Sequence, residues 1–479
     1  MREYLGTGKL LNIISEHPYI GQPFLKKEKV EKRILNNVNK GRIYRGKAVE
    51  TTYYLTAKSK KEGYNFEGIE DAASKMLIHG TTENWPGPGE EPSQYKKHMS
   101  YLKEAKLLGL NSKKGIESAL ITISTSLEFF DTLPDVVPLA QLRMATQSEP
   151  FNGFADFTAR IMNYRFPREF KNKFLSQLWP HRRVREYLGI GEKEPIIGTI
   201  VKPKWLPAGL FAKSVTEAAL SGALFVKSDE NLHLTKEELA KYVTLTVKML
   251  KENGFDLSPD PRPGKKKILF APHITANPFD ILEYAKIAVD NGANTLMFSP
   301  HFSGDFEVIR KIYEMGDRYK VPIYAHTAGM NRYCGDPNYS AGEDPKVAYL
   351  LAALEGAAFM QLPALRGYIK PTDVEKEPII KRLREEGLEG NDGMTLVIAG
   401  GLGAHNIGYN IKVLGAEGKM FLAGTSVYHH PEGIKAGIDA IKLAVEAVYE
   451  DITEVPELKK YAKSLGEKGY PLIRALEGR

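Results

Sequence analysis

The rhythm of hydrophobic positions changes once along the chain, near residue 196. Before that point the pattern is irregular. Thr51–Thr56 (TTYYLT) is a β-branched and aromatic run that predicts a strand, and Ala119–Ser126 (ALITISTS) predicts a second. Glu70–Ile78 has a helical pattern, and His79–Pro92 (HGTTENWPGPGEEP) is a Gly/Pro-rich loop. Strands with a few helices predict a small α+β domain of ferredoxin-like type over residues 48–165. Residues 1–47 form a basic N-terminal extension without a sustained period. Phe166–Arg185 reads as a connecting segment opening the next domain.

From Ile196 onward, short apolar runs alternate with amphipathic stretches eight times. The runs are 196–202 (IIGTIVK), 224–229 (LFVKSD), 268–272 (ILFAP), 295–300 (TLMFSP), 322–326 (PIYAH), 359–363 (FMQLP), 395–400 (TLVIAG) and 419–424 (KMFLAG). Helical stretches such as 235–254 (TKEELAKYVTLTVKMLKENG) lie between them, several closing on Gly. The spacing, roughly 25–45 residues, is that of a βα unit, and eight units predict a (β/α)8 TIM barrel over residues 166–450. No Gly-rich fingerprint follows the first run, which argues against an open doubly wound sheet. The fold class is therefore α/β, with residues 451–479 as a helical tail.

Composition narrows the function. The 66 Lys+Arg against 59 Asp+Glu leave +7 on 479 residues, an excess spread among interleaved Lys and Glu. A mixed-sign solvated surface, not a nucleic-acid interface, is the better reading. No apolar stretch approaches membrane-spanning or signal-peptide length, so a cytoplasmic protein without membrane contact is expected. The single cysteine, Cys334, excludes an intramolecular disulfide and a cysteine metal cluster; in its polar loop it reads as a surface thiol.

Barrels carry their chemistry at the C-terminal ends of the strands. Those ends here hold Lys202 and Lys204, then Lys227, Asp229 and Glu230, then His273, His301, His326 and Gln361. Asp229 and Glu230 are hard oxygen ligands suited to Mg²⁺, and a third ligand is wanted. An ammonium cannot supply it; a lysine carbamate can. Gly400, Gly401 and Gly424 end the last two strands, where backbone N–H groups can approach a phosphate. His429-His430 reads as a loop, and Trp205 as a pocket wall or packing residue.

Two segments, 198–204 (GTIVKPK) and 222–230 (GALFVKSDE), resemble the strand-one and strand-two signatures of the RuBisCO large-chain superfamily. The resemblance spans about residues 48–450. It implies that Lys227 is carbamylated by CO2 and ligates Mg²⁺ together with Asp229 and Glu230. It implies that Lys202 acts in enolisation, with Lys204 assisting electrostatically, and that His326 is the first active-site histidine. Asn84 and Trp85 match the loop that closes over a phosphate from the partner subunit, and Gly400, Gly401 and Gly424 the cradle for that phosphate. A homodimer, or a higher oligomer of dimers, with active sites at the subunit interface is implied.

Departures from the carboxylase pattern are equally specific. Thr327 stands where an Arg is expected, Gln361 replaces a histidine and Ala399 a serine, the three positions that hold the second phosphate of a bisphosphate. Tyr368 occupies the place of the loop lysine, with Lys370 nearby under a shifted alignment. His79 replaces a glutamate, and Thr125-Ser126 the expected Asn motif. The pattern resembles RuBisCO-like proteins that enolise or isomerise a phosphorylated ketone or ketose monophosphate through a metal-stabilised enolate, or carry out related lyase chemistry. The alternatives are an authentic ribulose-1,5-bisphosphate carboxylase, a Schiff-base aldolase using Lys202 or Lys227, and a non-catalytic binding protein.

Overall fold

A computed structural model of the chain describes residues 27–40, 42, 46–60, 65–79, 93–111, 114–131, 135–148, 150–151, 154–191, 193–260, 262, 264–335, 341–369, 371 and 373–477. Asn84, Trp85, Lys370 and the first 26 residues lie outside the described residues. Strands are numbered along the chain: β1 Ala48–Lys58, β2 Ser100–Asn111, β3 Ile116–Ser126, β4 Phe157–Arg165, β5 Ile196–Ile200, β6 Phe225–Lys227, β7 Leu269–Ala271, β8 Leu296–Phe298, β9 Ile323–Ala325, β10 Gly342–Glu343, β11 Phe359–Pro363, β12 Thr395–Ala399 and β13 Lys419–Ala423.

The chain divides into two compact units, residues 1–175 with 330–351, and residues 176–329 with 352–479. The sequence pattern places the boundary at 165/166 and anticipates no return of the chain to the first unit. That return is carried by β10, only two residues long and thus without a readable period.

In the first unit the sheet order is β10-β4-β1-β3-β2. β1 pairs antiparallel with both β3 and β4, and β10 runs parallel to β4. The helix Glu67–His79 begins where the buried Glu117 carboxylate accepts from the Phe66 and Ile69 N–H groups at 3.0 and 3.1 Å, satisfying donors that a helix start leaves open. Residues 27–39 form a helix although no period was legible there; Val30, Ile34 and Val38, one turn apart, make its buried stripe. Fully buried Arg160 on β4 donates to the Cys334 and Ala341 carbonyls, and Arg143 on the helix Pro138–Gln147 bonds Glu343 at 2.5 Å, so that a strand and a helix both fasten the returning segment. Cys334 is consequently buried rather than at the surface, and burial pushes its thiol up.

In the second unit eight parallel strands run in the order β7-β6-β5-β13-β12-β11-β9-β8. An isolated parallel pairing of His273 with Met297 bridges the remaining gap, so the sheet is nearly closed. All eight expected runs contain a strand, several shorter than the apolar run that announces them. Phe225, Tyr324 and Phe359 fill the barrel, the Phe225 and Phe359 rings meeting edge-on at 5.4 Å. Gly198 on β5 makes room for them: a Cβ there would lie 2.6 Å from Leu422 and 2.7 Å from the Phe225 carbonyl. Only the second half of the expected connecting segment 166–185 reaches this core; residues 166–175 belong to the first unit. Trp179, Val184, Tyr187 and Leu188 join the barrel cluster, and buried His181 bonds Thr395 at the start of β12 at 2.9 Å. No helix among the described residues is long and apolar enough to cross a membrane.

Candidate active site

Parallel strands in register deliver the functional side chains to one end of the barrel. Ile200 on β5 pairs with Lys227 on β6, and Lys227 with Ala271 on β7. Lys202 and Asp229 each follow their strand by two residues. Lys202 Nζ donates to Asp229 Oδ2 in an ion pair across the two strand ends. Asp229, 1% exposed, also accepts from the Asn231 N–H at 2.9 Å. Burial acts to raise the Asp229 carboxyl, but the hydrogen bond from Lys202 outweighs it and holds the group below its ordinary value.

Lys227 is fully buried. Its Nζ donates to Glu230 Oε2 at 3.1 Å and to the Ser228 carbonyl at 3.2 Å, and lies 5.8 Å from the centre of the Tyr324 ring. Burial pushes the Lys227 ammonium below the ordinary lysine value, against the pull of Glu230. Glu230 is held low despite its own burial because Lys227 and His326 face it. A buried lysine with a weakened hold on its proton presents a larger fraction of free amine, the form that reacts with electrophiles.

His326 follows β9. Its Nδ1 accepts from the Ala328 N–H at 3.1 Å, which leaves the proton on Nε2, 3.5 Å from Glu230 Oε2. Burial, and then the Lys227 charge, bring its pKa down to about 3. His273 is held by Ser228 Oγ at its N–H, 2.7 Å, and by the Leu232 carbonyl at Nδ1, 3.1 Å; burial lowers it to about 4. Both imidazoles are therefore neutral at physiological pH. His273 Nε2 is buried without a hydrogen-bond partner.

A cavity of about 780 Å³ opens beside this cluster. Lys202 and Glu230 line one side; Gly400, Gly401 and Gly424 line another. Gly400 and Gly401 have φ of +81° and +82°, in the left-handed region, and a Cβ on Gly400 would lie 2.6 Å from Ile369. Gln361 faces the same cavity and accepts from the Tyr324 hydroxyl at 3.4 Å. Lys204 is not brought to the cluster: it is exposed and makes no hydrogen bond or ion pair with the described residues. His405, Thr425, Ser426 and Arg474 also line the cavity, and sequence reasoning did not single them out. Only their neighbourhood to the glycine turns could have marked the first three.

The donor set fits a magnesium site with one qualification. Asp229 and Glu230 offer two carboxylates, and no group of three His, Cys, Asp or Glu among the described residues is arranged to hold a metal. A third protein oxygen ligand could come from Lys227 as a carbamate, its buried amine standing 3.1 Å from Glu230. The residues fit the ion once that amine is carbamylated.

Residues 182–477 match the family described as ribulose bisphosphate carboxylase large chain, catalytic domain. The chain belongs to the RuBisCO large-chain family. Within that family it is 25% identical over 424 residues to a ribulose bisphosphate carboxylase-like protein of Archaeoglobus fulgidus, covering 86% of this chain and 89% of the relative. It is 30% identical over 322 residues to a ribulose bisphosphate carboxylase of Methanocaldococcus jannaschii, covering 63% and 72%. A 2,3-diketo-5-methylthiopentyl-1-phosphate enolase of Bacillus mycoides is 24% identical over 407 residues, covering 82% and 93%. Among solved structures, the dimeric archaeal Rubisco of Hyperthermus butylicus shares the fold with a TM-score of 0.72 at 19% identity, covering 93% and 99%. The octameric Rubisco of Pyrococcus horikoshii does so at 0.72 and 19%, covering 92% and 96%. The RuBisCO family thus includes both carboxylases and enolases among the relatives of this chain.

Proposed function

We propose that the protein is a Mg²⁺-dependent enolase or isomerase acting on a phosphorylated ketone or ketose monophosphate, with Lys227 carbamylated by CO2. The observation that carries this reading is the complete burial of Lys227 on Glu230, 3.1 Å away, with its amine pushed toward the neutral form. A neutral amine would attack the CO2 carbon, the N–C bond forming as one C–O π pair moves onto oxygen and one nitrogen proton passes to water, so that the product is an anionic oxygen ligand. The bound ion supplies Lewis acidity toward a substrate carbonyl.

The chain's own residues divide the remaining work. Lys202 lines the cavity as an ammonium paired with Asp229; once that carboxylate turns to a metal ion and the nitrogen has given up one proton, its Nζ would be the group to take an α-proton and return it. Neutral His326, its Nδ1 committed to the Ala328 N–H, directs its Nε2 proton toward Glu230 and keeps that carboxylate oriented. Gly400, Gly401 and Gly424 bring backbone N–H groups within reach of one phosphoryl group. Asn84 and Trp85 of a partner subunit would cover it, and the oligomeric forms of the two solved structures support a homo-oligomer. Similarity to the B. mycoides enolase supports a diketo phosphate as the first substrate to test.

A second reading, carboxylation of ribulose bisphosphate, is favoured by the similarity to the M. jannaschii carboxylase. Thr327, Gln361, Ala399 and Tyr368 argue against it. One experiment separates the two. Incubation with CO2, Mg²⁺ and phosphorylated ketones in D2O should give α-proton exchange visible by NMR, abolished in Lys227→Ala, with no CO2 fixed into ribulose bisphosphate. Robust fixation would overturn the enolase reading.

A further inference from the structure

The phosphoryl subsite still lacks a side-chain cation. Backbone N–H groups at glycine turns carry only partial charges, whereas a phosphate monoester carries about −1.5 to −2 at neutral pH. Lys202 is committed to Asp229. Lys227 is not among the residues lining the cavity, and its Nζ is engaged by Glu230 and the Ser228 carbonyl. Tyr368, not a lysine, lines the cavity at the loop after β11. Among the described residues lining the cavity, the only lysine or arginine besides Lys202 is Arg474.

Arg474 lines the same cavity as Gly400, Gly401 and Gly424. It sits on the helix Tyr470–Ala475, which packs on the helix Gly433–Val448. His430 Nε2 meets the Pro471 carbonyl at 2.9 Å, and His430 Nδ1 accepts from the Glu432 N–H at 3.2 Å. That assignment puts the imidazole proton on Nε2, spends it on Pro471, and ties the helix to the turn that begins at Gly424. It also removes His430 as an anion donor. One guanidinium nitrogen of Arg474 donates to Glu477, its one hydrogen-bond partner among the described residues, and the side chain remains 33% exposed. Glu477 lines the same cavity.

We infer that Arg474 is the side chain that binds the substrate's phosphoryl group, and that Glu477 occupies this arginine as an internal competitor until the anion arrives. The inference rests on the phosphorylated-substrate reading. An arginine fork suits two phosphoryl oxygens, and its charge complements the neutral cradle of the glycine turns. Specificity for a monophosphate then comes partly from the last helix of the chain.

The test is calorimetric titration of the full-length protein with inorganic phosphate, without Mg²⁺, comparing wild type with R474Q, R474K and E477Q. R474Q should weaken binding about tenfold or more, as expected for loss of a charge-assisted hydrogen bond. R474K should fall between, and E477Q should tighten binding severalfold because the competing carboxylate is gone. The opposite signs of R474Q and E477Q are not produced by a merely structural arginine, and E477Q still decides the matter if R474Q fails to fold. Unchanged affinity in R474Q, or weakened affinity in E477Q, overturns the assignment of Arg474 alone. Absence of phosphate binding in the wild type overturns the phosphoryl subsite itself, and this assignment with it.

Discussion

Lys202 and Asp229 are joined by an ion pair that spans the C-terminal ends of two adjacent parallel strands, β5 and β6. The lysine lines the cavity while the carboxylate is buried beneath it. One contact therefore couples the proposed proton carrier to a proposed metal ligand. Replacing Lys202 by Met should leave Asp229 available to a cation while removing the proton carrier. Mg²⁺ affinity, read by calorimetry in the presence of CO2, should hold or rise, whereas deuterium exchange should fall about 10²–10⁴-fold, the range of a lost general acid–base. Equal loss of both would show that the pair serves metal binding alone.

The proposed carbamate has a direct test. Wild-type protein exposed to ¹³CO2 and Mg²⁺ should give a carbamate carbonyl resonance that is absent from Lys227→Ala. The same resonance surviving in that variant would assign it to a surface lysine and remove Lys227 from the ligand set.

Two buried histidines at the ends of the barrel strands, His326 and His273, set an acid limit to stability. In the folded protein His326 titrates near 3 and His273 near 4, both below the ordinary value near 6.5. The unfolded chain thus binds more protons between those values and about 6.5, so stability is full above that pH and is lost as pH falls through the window. Each neutral histidine contributes a slope of up to about 1.4 kcal/mol per pH unit there. His326→Gln should shrink the difference in Tm between pH 7.5 and pH 5. An unchanged difference would mean that His326 is not held neutral.

The three cavity glycines should respond differently to alanine. Gly400→Ala forces a side chain into the left-handed region and against Ile369, and should cost about 1–3 kcal/mol in denaturant unfolding. Gly401→Ala, with φ at +82°, should behave similarly. Gly424 has φ of −95° with ψ of −92°, outside the main regions open to a side chain, but its added Cβ would meet Ile200 at an ordinary 3.4 Å, so Gly424→Ala should cost less than the other two, about 1 kcal/mol. A weakened phosphate affinity in that stable variant would then report on the anion's approach and not on folding.

How far the sequence reached depended on what each element needs to form. Strands buried on both faces read as continuous apolar runs, which is why all eight barrel strands were legible from Ile196 to Ala423. Their ends were less so, because the strands stop before the polar residues that do the chemistry, as at Ile200 before Lys202. The Lys227–Asp229–Glu230 constellation was legible because charged residues at barrel strand ends stand out. Arg474 was not, since a six-residue helix has no period and its meaning comes from a cavity formed by residues distant in sequence. The burial of Cys334 was equally hidden: its loop is polar, and only Arg160, far upstream, draws the segment inward. Lys204 illustrates the converse, a conspicuous motif residue that stays exposed in this structure.

The return of the chain to its first unit has a consequence for biogenesis. β10 supplies the edge of the first sheet beside β4, yet it is synthesised after five of the eight barrel strands have already emerged. During translation the nascent first unit must wait with β4 exposed as an open edge, a ready template for pairing with another chain. A ribosome paused between residues 175 and 342 would hold that edge uncovered, and a gene fragment ending in the same interval should yield aggregates where the full-length chain stays dispersed. The order of synthesis, rather than the final stability of either unit, would then set how much of this protein a cell can make.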